Sequence, residues 1–235
     1  MKIQKILLIA SIPLLLFLTS KAISMLAANL NFHQTNQIQK HWLKKGKVTN
    51  KQEYTKALDA ISLANEQHPN NPEYLVTQAL VLEWAGISRL FTASEQKSNL
   101  LLAKKYYLNA TQLRPTWSVT WASLAILKWR LNEIDQNLVD YLIQAEYYGK
   151  NTHAVQKAWV DLGLFLYLKK SPLTPKIIAG LRRHLQSMLK DDRANIRTSA
   201  INIVNRHKAQ RLVCKWIRTY DFDTRSLQKS LCKAN

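Results

Sequence analysis

The chain has 235 residues, with 34 Lys or Arg against 15 Asp or Glu and a formal net charge of +19. It holds only five Gly and six Pro and no Asn-Gly or Asp-Gly pair, which argues against a hairpin-rich or low-complexity chain. The length allows one medium domain with a sizeable core, and the charge points to an anionic partner: nucleic acid, a phospholipid surface or an acidic polymer.

The first 30 residues read as a segment outside the fold. Lys2 and Lys5 precede ILLIASIPLLLFL, an apolar run from Ile6 to Leu18; Lys21 interrupts it, and AISMLAANL continues it weakly to Leu30. The length fits a signal-peptide core and the apolar tail fits a membrane anchor. The best cleavage match is Ala22-Ile23-Ser24, a poor one, so the run is read as an uncleaved signal anchor that enters the membrane through residues 6–30. Lys2 and Lys5 favour a cytoplasmic N-terminus, while Lys40, Lys44, Lys45 and Lys47 oppose it. Long translocated domains override such flanking charge. The expectation is a single pass of a bacterial inner membrane with the main domain in the periplasm.

The next signal is a repeat. ALDAISLANEQHP runs from Ala57 to Pro69, and AKKYYLNATQLRP from Ala103 to Pro115. Ala57, Ile61 and Ala64, like Ala103, Tyr107 and Ala110, share one helix face. Small, large, small on one face lets a neighbouring helix approach closely. Pro69 and Pro115 cannot continue the helix, so the chain turns there. Ten residues beyond each proline stand Ala79 and Ala125. A degenerate third copy keeps Leu138, Leu142 and Ala145, with Gly149 as the stop and Lys150 in place of proline. The spacing resembles the tetratricopeptide repeat, with Trp121 at the aromatic place six residues past Pro115 and Leu75 at the equivalent place in the first copy.

Helices are expected over Thr35–Lys45, Lys51–Gln67, Glu73–Ala85, Glu95–Leu113, Trp117–Leu131, Asp135–Tyr148, Thr152–Lys169, Pro175–Leu189, Arg193–Arg206, Lys208–Thr219 and a short Thr224–Leu231. Asp135 and Thr152 read as N-caps, Ile87–Ser98 as a loop, and Pro172 with Pro175 as loop punctuation. The fold class is therefore all-α: a tetratricopeptide-like solenoid of helical hairpins behind an N-terminal transmembrane helix. Residues 31–170 form the repeats and 171–235 a basic C-terminal helical cap.

That cap concentrates charge. From Arg182 to Lys233 stand thirteen Lys or Arg against four Asp. Lys208, Arg211, Lys215 and Arg218 recur at i, i+3, i+7 and i+10, one helical face, with Leu212, Val213, Trp216 and Ile217 on the other. This is a candidate anion-binding ridge; a solvated face in a generally basic protein is the blander alternative. Cys214 and Cys232 are the only cysteines. Their spacing fits no zinc or redox motif, and an exported chain would pair them as a disulfide.

A narrower resemblance lies in LRPTWSVTWASLAILKWRLNEID and AVQKAWVDLGLFLYL. Around Arg114, Pro115, Trp117, Trp121, Ala122, Leu124 and Ala125, and again at Val155, Gln156, Gly163 and Leu164, the chain resembles the VpsP-type polysaccharide biosynthesis proteins. It departs from them at GKNTHAVQ, where that family carries a Gly-Pro-Trp-Glu-Pro-like segment. The resemblance covers about residues 50–170. It implies an inner-membrane accessory in exopolysaccharide or biofilm-matrix production, with no catalytic residue to carry over. Partners would be protein components of a polysaccharide assembly machine, or an anionic polysaccharide or lipid surface.

The residues themselves point away from an enzyme site. Six histidines, at 33, 41, 68, 153, 184 and 207, form no metal-ligand pair, and no two glycines stand close enough for a phosphate loop. No cofactor is expected. Asp191-Asp192 reads as an N-cap for the helix from Arg193 rather than as paired acids. Trp121 and Trp129 read as packing between helices, and Trp117 less so. Two function classes stay open: an anchored helical-repeat scaffold, and a basic nucleic-acid binder. The export-type N-terminus ranks the scaffold ahead, with a general envelope assembly factor as a further alternative.

Overall fold

The computed structural model describes residues 2–219 and Cys232. Ten helices occupy them and no strand is present among them. They are α1 Lys2–Lys45, α2 Lys51–Gln67, α3 Pro72–Gly86, α4 Ala93–Leu113, α5 Ser118–Arg130, α6 Gln136–Gly149, α7 His153–Leu168, α8 Thr174–Lys190, α9 Ala194–Arg206 and α10 Gln210–Thr219. The short helix expected over Thr224–Leu231 lies outside the described residues, as do Arg225, Lys229 and Lys233.

Helix starts follow local chemistry. Asn50, Asn71 and Asp135 each accept a hydrogen bond from a backbone N–H of the following first turn, satisfying donors that the helix itself leaves open. Thr92 and Glu95 form a reciprocal capping box. This box starts α4 at Ala93, so the loop expected over Ile87–Ser98 ends at Thr92. Thr152 sits at the N-cap of α7 without a side-chain bond. Pro175 lies in the first turn of α8 instead of in a loop, where its missing N–H costs nothing.

The chain divides into two compact units, Met1–Arg114 and Pro115–Asn235. This differs from the expected boundaries at residues 30 and 170. No break falls at residue 30, because α1 runs straight through it. Its 44 residues extend about 66 Å at 1.5 Å per residue. By length and composition its apolar part can cross a membrane. From Ser24 onward the same helix becomes a packing element. Ser24 Oγ donates to Gln67 O at 3.0 Å, Tyr74 Oη to Asn29 Oδ1 at 2.9 Å, and Thr35 Oγ1 to Ala57 O at 3.2 Å. Gln39 Nε2 donates to Thr77 O at 3.1 Å and Trp42 Nε1 to Glu53 Oε2 at 3.2 Å. Ala28 and Trp42 are fully buried.

Within the first unit α1 packs on α2, α2 on α3 and α3 on α4, and α1 also touches α3. Ala57, Ile61 and Ala64 of α2 are closed off from solvent in this core with Tyr54, Tyr74, Val81 and Ala85. Ala103, Tyr107 and Ala110 of α4 are buried as well, and Tyr107 Oη donates to the buried Glu83 at 2.7 Å. Pro69 lies one residue past the cap of α2, where the chain turns.

In the second unit α5 pairs with α6 and α7 with α8, α5 and α6 both touch α7, and α9 leans on α7 and α8. Leu138, Leu142 and Ala145 of the degenerate copy are buried on α6. Helix α7 is the centre. Val155, Ala158, Trp159, Val160, Leu162, Leu164 and Leu166 are all buried, so it is apolar nearly all round, as a surrounded helix must be. Helices α7 and α8 approach closely because small residues allow it. A side chain on Gly163 would meet Leu181, and one on Gly180 would fall on the Trp159 ring. Trp159 cannot easily yield, since its Nε1 donates to Leu142 O at 3.2 Å and its ring stacks on His184.

This contact yields a stability prediction. Gly180→Ala gains about 1 kcal/mol of helix propensity but overpacks the Trp159 contact at a cost of ~1–3 kcal/mol. The pinned ring puts the balance on the unfavourable side. Urea denaturation of the detergent-solubilised chain should show a net loss of up to ~2 kcal/mol; a more stable variant would show that the indole moves aside.

Candidate functional site: the basic face of the second unit

Helix α10 buries Val213, Cys214, Trp216 and Ile217 and leaves Arg211 and Lys215 exposed. Arg218 belongs to the same helix, and its side chain lies outside the described residues. The expected ridge needs one correction. Lys208 is not on the helix. It sits in the turn between α9 and α10 with φ of 53°. Ala209 N donates to Val204 O and Lys208 N to Asn205 O, closing the end of α9. A lysine thus takes the left-handed position usually given to Gly. The cationic row on α10 therefore begins at Arg211, with Lys208 exposed beside it.

The apolar side of α10 is held by aromatic contacts. The Trp216 ring meets Tyr167 edge-on at 5.2 Å, and the Arg182 guanidinium lies 5.2 Å from its centroid, a cation–π geometry. Cys214 and Cys232 form a disulfide, which ties the C-terminal segment to α10.

Beside this face lies a cleft of about 470 Å³ between α7 and α9, lined by Lys157, Asn195, Thr198, Ser199, Asn202 and Arg206. Of these lining residues, Arg206 is held by Asp161. That carboxylate meets Arg206 Nη2 at 2.6 Å and His207 Nε2 at 2.6 Å. A carboxylate only accepts, so His207 Nε2 carries the proton. Burial opposes ionisation of Asp161, yet the His207 hydrogen bond and the Arg206 charge outweigh it and hold the carboxyl below its ordinary range.

Other polar clusters serve structure. Lys128 is 3 % exposed and meets Glu133 at 2.8 Å and Asp135 at 2.9 Å. Burial pushes its ammonium down, but the two carboxylates prevail and hold it above its ordinary value. Together they close the α5–α6 turn, where Asn132 takes φ of 58°. His184 is buried on Trp159, and its Nε2 lies 3.2 Å from Glu146 Oε1 without hydrogen-bond alignment. Burial lowers its pKa against the opposing effect of Glu146, and the ring is closed off from solvent in the core. Asp191 is not the N-cap of α9; Arg193 occupies that position. Asp191 instead accepts from the backbone N–H and the guanidinium of Arg193, which hold its carboxyl down at about 2.

Trp121 and Trp129 pack at the edge of the second unit's core. Trp121 stacks near Tyr141 at 5.7 Å and donates to Pro115 O at 2.6 Å; Trp129 packs on Phe165 at 5.4 Å. Both are half-buried, as is Trp117. Among the described residues no group of three His, Cys, Asp or Glu side chains converges as a metal site would require.

No protein-family model matches this sequence, and no curated protein matches it as a relative.

The Asp161 pair carries a pH prediction. Its folded-state pKa lies below the unfolded value of about 3.9, so its contribution is present above about pH 4 and disappears as pH falls through the lowered folded value. Asp161→Asn should cost ~1–2 kcal/mol near pH 7. The gap between wild type and variant should narrow below about pH 4. A gap constant down to pH 2 would show that Asp161 acts without its charge.

Proposed function

We propose that this chain is a non-enzymatic, membrane-anchored helical scaffold, built of tetratricopeptide-like helix pairs, that serves exopolysaccharide biosynthesis or export. The observation that carries the reading is α1. Its apolar stretch from Ile12 to Leu18 is exposed along every side, a surface that water would not tolerate as a contiguous patch. The same helix then enters the first unit's core. A body built of successive packed helix pairs, with small residues at its close contacts, offers side-chain surface for partners and needs no reaction centre. The resemblance around Arg114–Ala125 and Val155–Leu164 supplies the polysaccharide context. The Cys214–Cys232 disulfide suits an oxidising compartment, which supports a periplasmic body behind an inner-membrane anchor. Arg211, Lys215 and Arg218, with Lys208 beside them, would meet an anionic polymer or lipid surface.

Location and role have direct tests. Alkaline phosphatase fused after Asn235 should be active and a green fluorescent protein fusion dark, and deleting the gene should reduce matrix polysaccharide. A bright fusion overturns the topology. Normal matrix with a general envelope defect would indicate an assembly factor of another kind.

The cationic row is tested separately. Replacing Arg211, Lys215 and Arg218 by Gln keeps helix propensity and removes the charge. Binding to acidic polysaccharide or anionic vesicles should weaken, and its salt dependence should flatten. Unchanged binding and salt dependence would show that the row is only solvated.

A further inference from the structure

Helix α1 leaves no room for a tether. A helical span needs about 20 residues, and counted from Ile6 that number ends at Met25. Yet the first bond to the rest of the unit is already made at Ser24, whose hydroxyl donates to Gln67 O. Ala28 is buried and Asn31 Nδ2 reaches Gln67 Oε1 at 3.3 Å. The last turn of the span and the first turn of the packed helix are therefore the same turn.

Building on the reading of α1 as an anchor, we infer that the first unit is seated in the headgroup layer of the bilayer, with the α2–α3 turn, Gln67–Asn71, in contact with lipid. The surface at this level agrees. On the outward side of α1, Ile23 is 68 % exposed, Leu26 61 % and Leu30 63 %. On α2, one turn before Gln67, Leu63 is 46 % exposed. Ile23 and Leu26 stand within a turn of the Ser24–Gln67 bond and Leu63 and Leu30 about 6 and 9 Å farther along, continuing the apolar surface of the span. An interfacial seat removes them from water; a free-standing domain would leave them in it. Lys21 lies four residues before Met25, about 6 Å along the axis; its Nζ lies over the Phe17 ring, 5.8 Å from the centroid, and turning the stem the other way would bring it to the headgroups.

The occupant is lipid of no particular charge. The turn reads Gln67, His68, Pro69, Asn70, Asn71, without Lys or Arg, and Glu66 and Glu73 flank it. Its amides suit hydrogen bonds to phosphodiester and carbonyl oxygens, while the leucines and isoleucine supply apolar contact. Seating should therefore be insensitive to salt and to anionic lipid, unlike binding through the basic row of the second unit.

Helix α2 is a built-in ruler. It runs antiparallel to α1, since Gln67 meets Ser24 while Glu53 meets Trp42. Its Lys51 end thus stands about 24 Å farther from the bilayer than its Gln67 end. Single cysteines replacing Leu15, Glu66 and Gln52 in the full chain would carry a nitroxide label in zwitterionic phosphatidylcholine vesicles. Paramagnetic relaxation by oxygen and by a water-soluble nickel complex then reads depth. The Leu15 label should report hydrocarbon, Glu66 the headgroup layer and Gln52 water, with no change at high salt or on adding anionic lipid. If Glu66 is as water-accessible as Gln52 while Leu15 is buried, the anchor stands and the seating is wrong. If Leu15 is also in water, both fall.

Discussion

The fold of the first unit depends on one helix that is apolar and exposed at one end and packed along one stripe at the other. An α-helix satisfies its own backbone, which is why it can cross hydrocarbon unaided. It can then pass into a protein core without a break, provided one stripe of side chains changes character. In α1 that change is visible residue by residue. The stretch from Ile12 to Leu18 offers only apolar groups and Pro13. From Ser24 the inward stripe reads Ser24, Ala28, Asn31, Thr35, Gln39, Trp42, and the polar members bond to α2 or α3. Buried polar groups are tolerable only when paired, and here each pairing also fixes the register of a neighbouring helix against α1.

The second unit solves a different problem with different means. Among its described residues no helix is long and apolar enough to cross a membrane. Its centre is α7, enclosed by α5, α6, α8 and α9. Four neighbours around one helix require close approach. Gly163 and Gly180 provide it, each occupied by a large side chain from the opposite helix. Trp159 fills the space that Gly180 leaves and satisfies its indole on Leu142 O. The polar anchors, Lys128 at one turn and Asp161 between α7 and the end of α9, sit at the rim, where their charges are matched at short range.

Much of this was legible in the sequence because it is local. Helix faces such as Ala57, Ile61, Ala64 and the stops at Pro69 and Pro115 follow from periodicity and from proline chemistry. Helix α2 falls where its pattern places it, Lys51–Gln67. What escaped was of three kinds. The continuation of α1 through residue 30 escaped because the roles of Asn29, Asn31 and Thr35 depend on Tyr74, Gln67 and Ala57, distant in sequence. The turn at Lys208 carries no Gly or Pro, so the basic face appeared to run one turn too far. The pairing of Asp161 with Arg206 and His207 spans some 45 residues and leaves no local trace. The capping box at Thr92 and Glu95 was different: its T-x-x-E signal stood in plain sight.

The excess of positive charge takes on a definite meaning once the acids are located. Few carboxylates are present, and the structure spends many of them internally. Glu53 accepts from Trp42, Glu83 from Tyr107, and Glu95 caps α4. Glu133 and Asp135 hold Lys128, Glu146 holds Arg183, Asp161 holds Arg206 and His207, and Asp191 holds Arg193. Each such acid is occupied by a specific neighbour, while Asp59, Glu66, Glu73, Asp140 and Asp192 stay exposed among the lysines and arginines. The net +19 still leaves cations well in excess of these acids, a field of positive sign. Such a field attracts polyanions over several ångströms and repels like-charged copies of the chain. Selectivity within that field must come from shape and from hydrogen-bonding side chains, which is where the cleft of Asn195, Thr198, Ser199 and Asn202 beside Lys157 differs from the cationic row of α10.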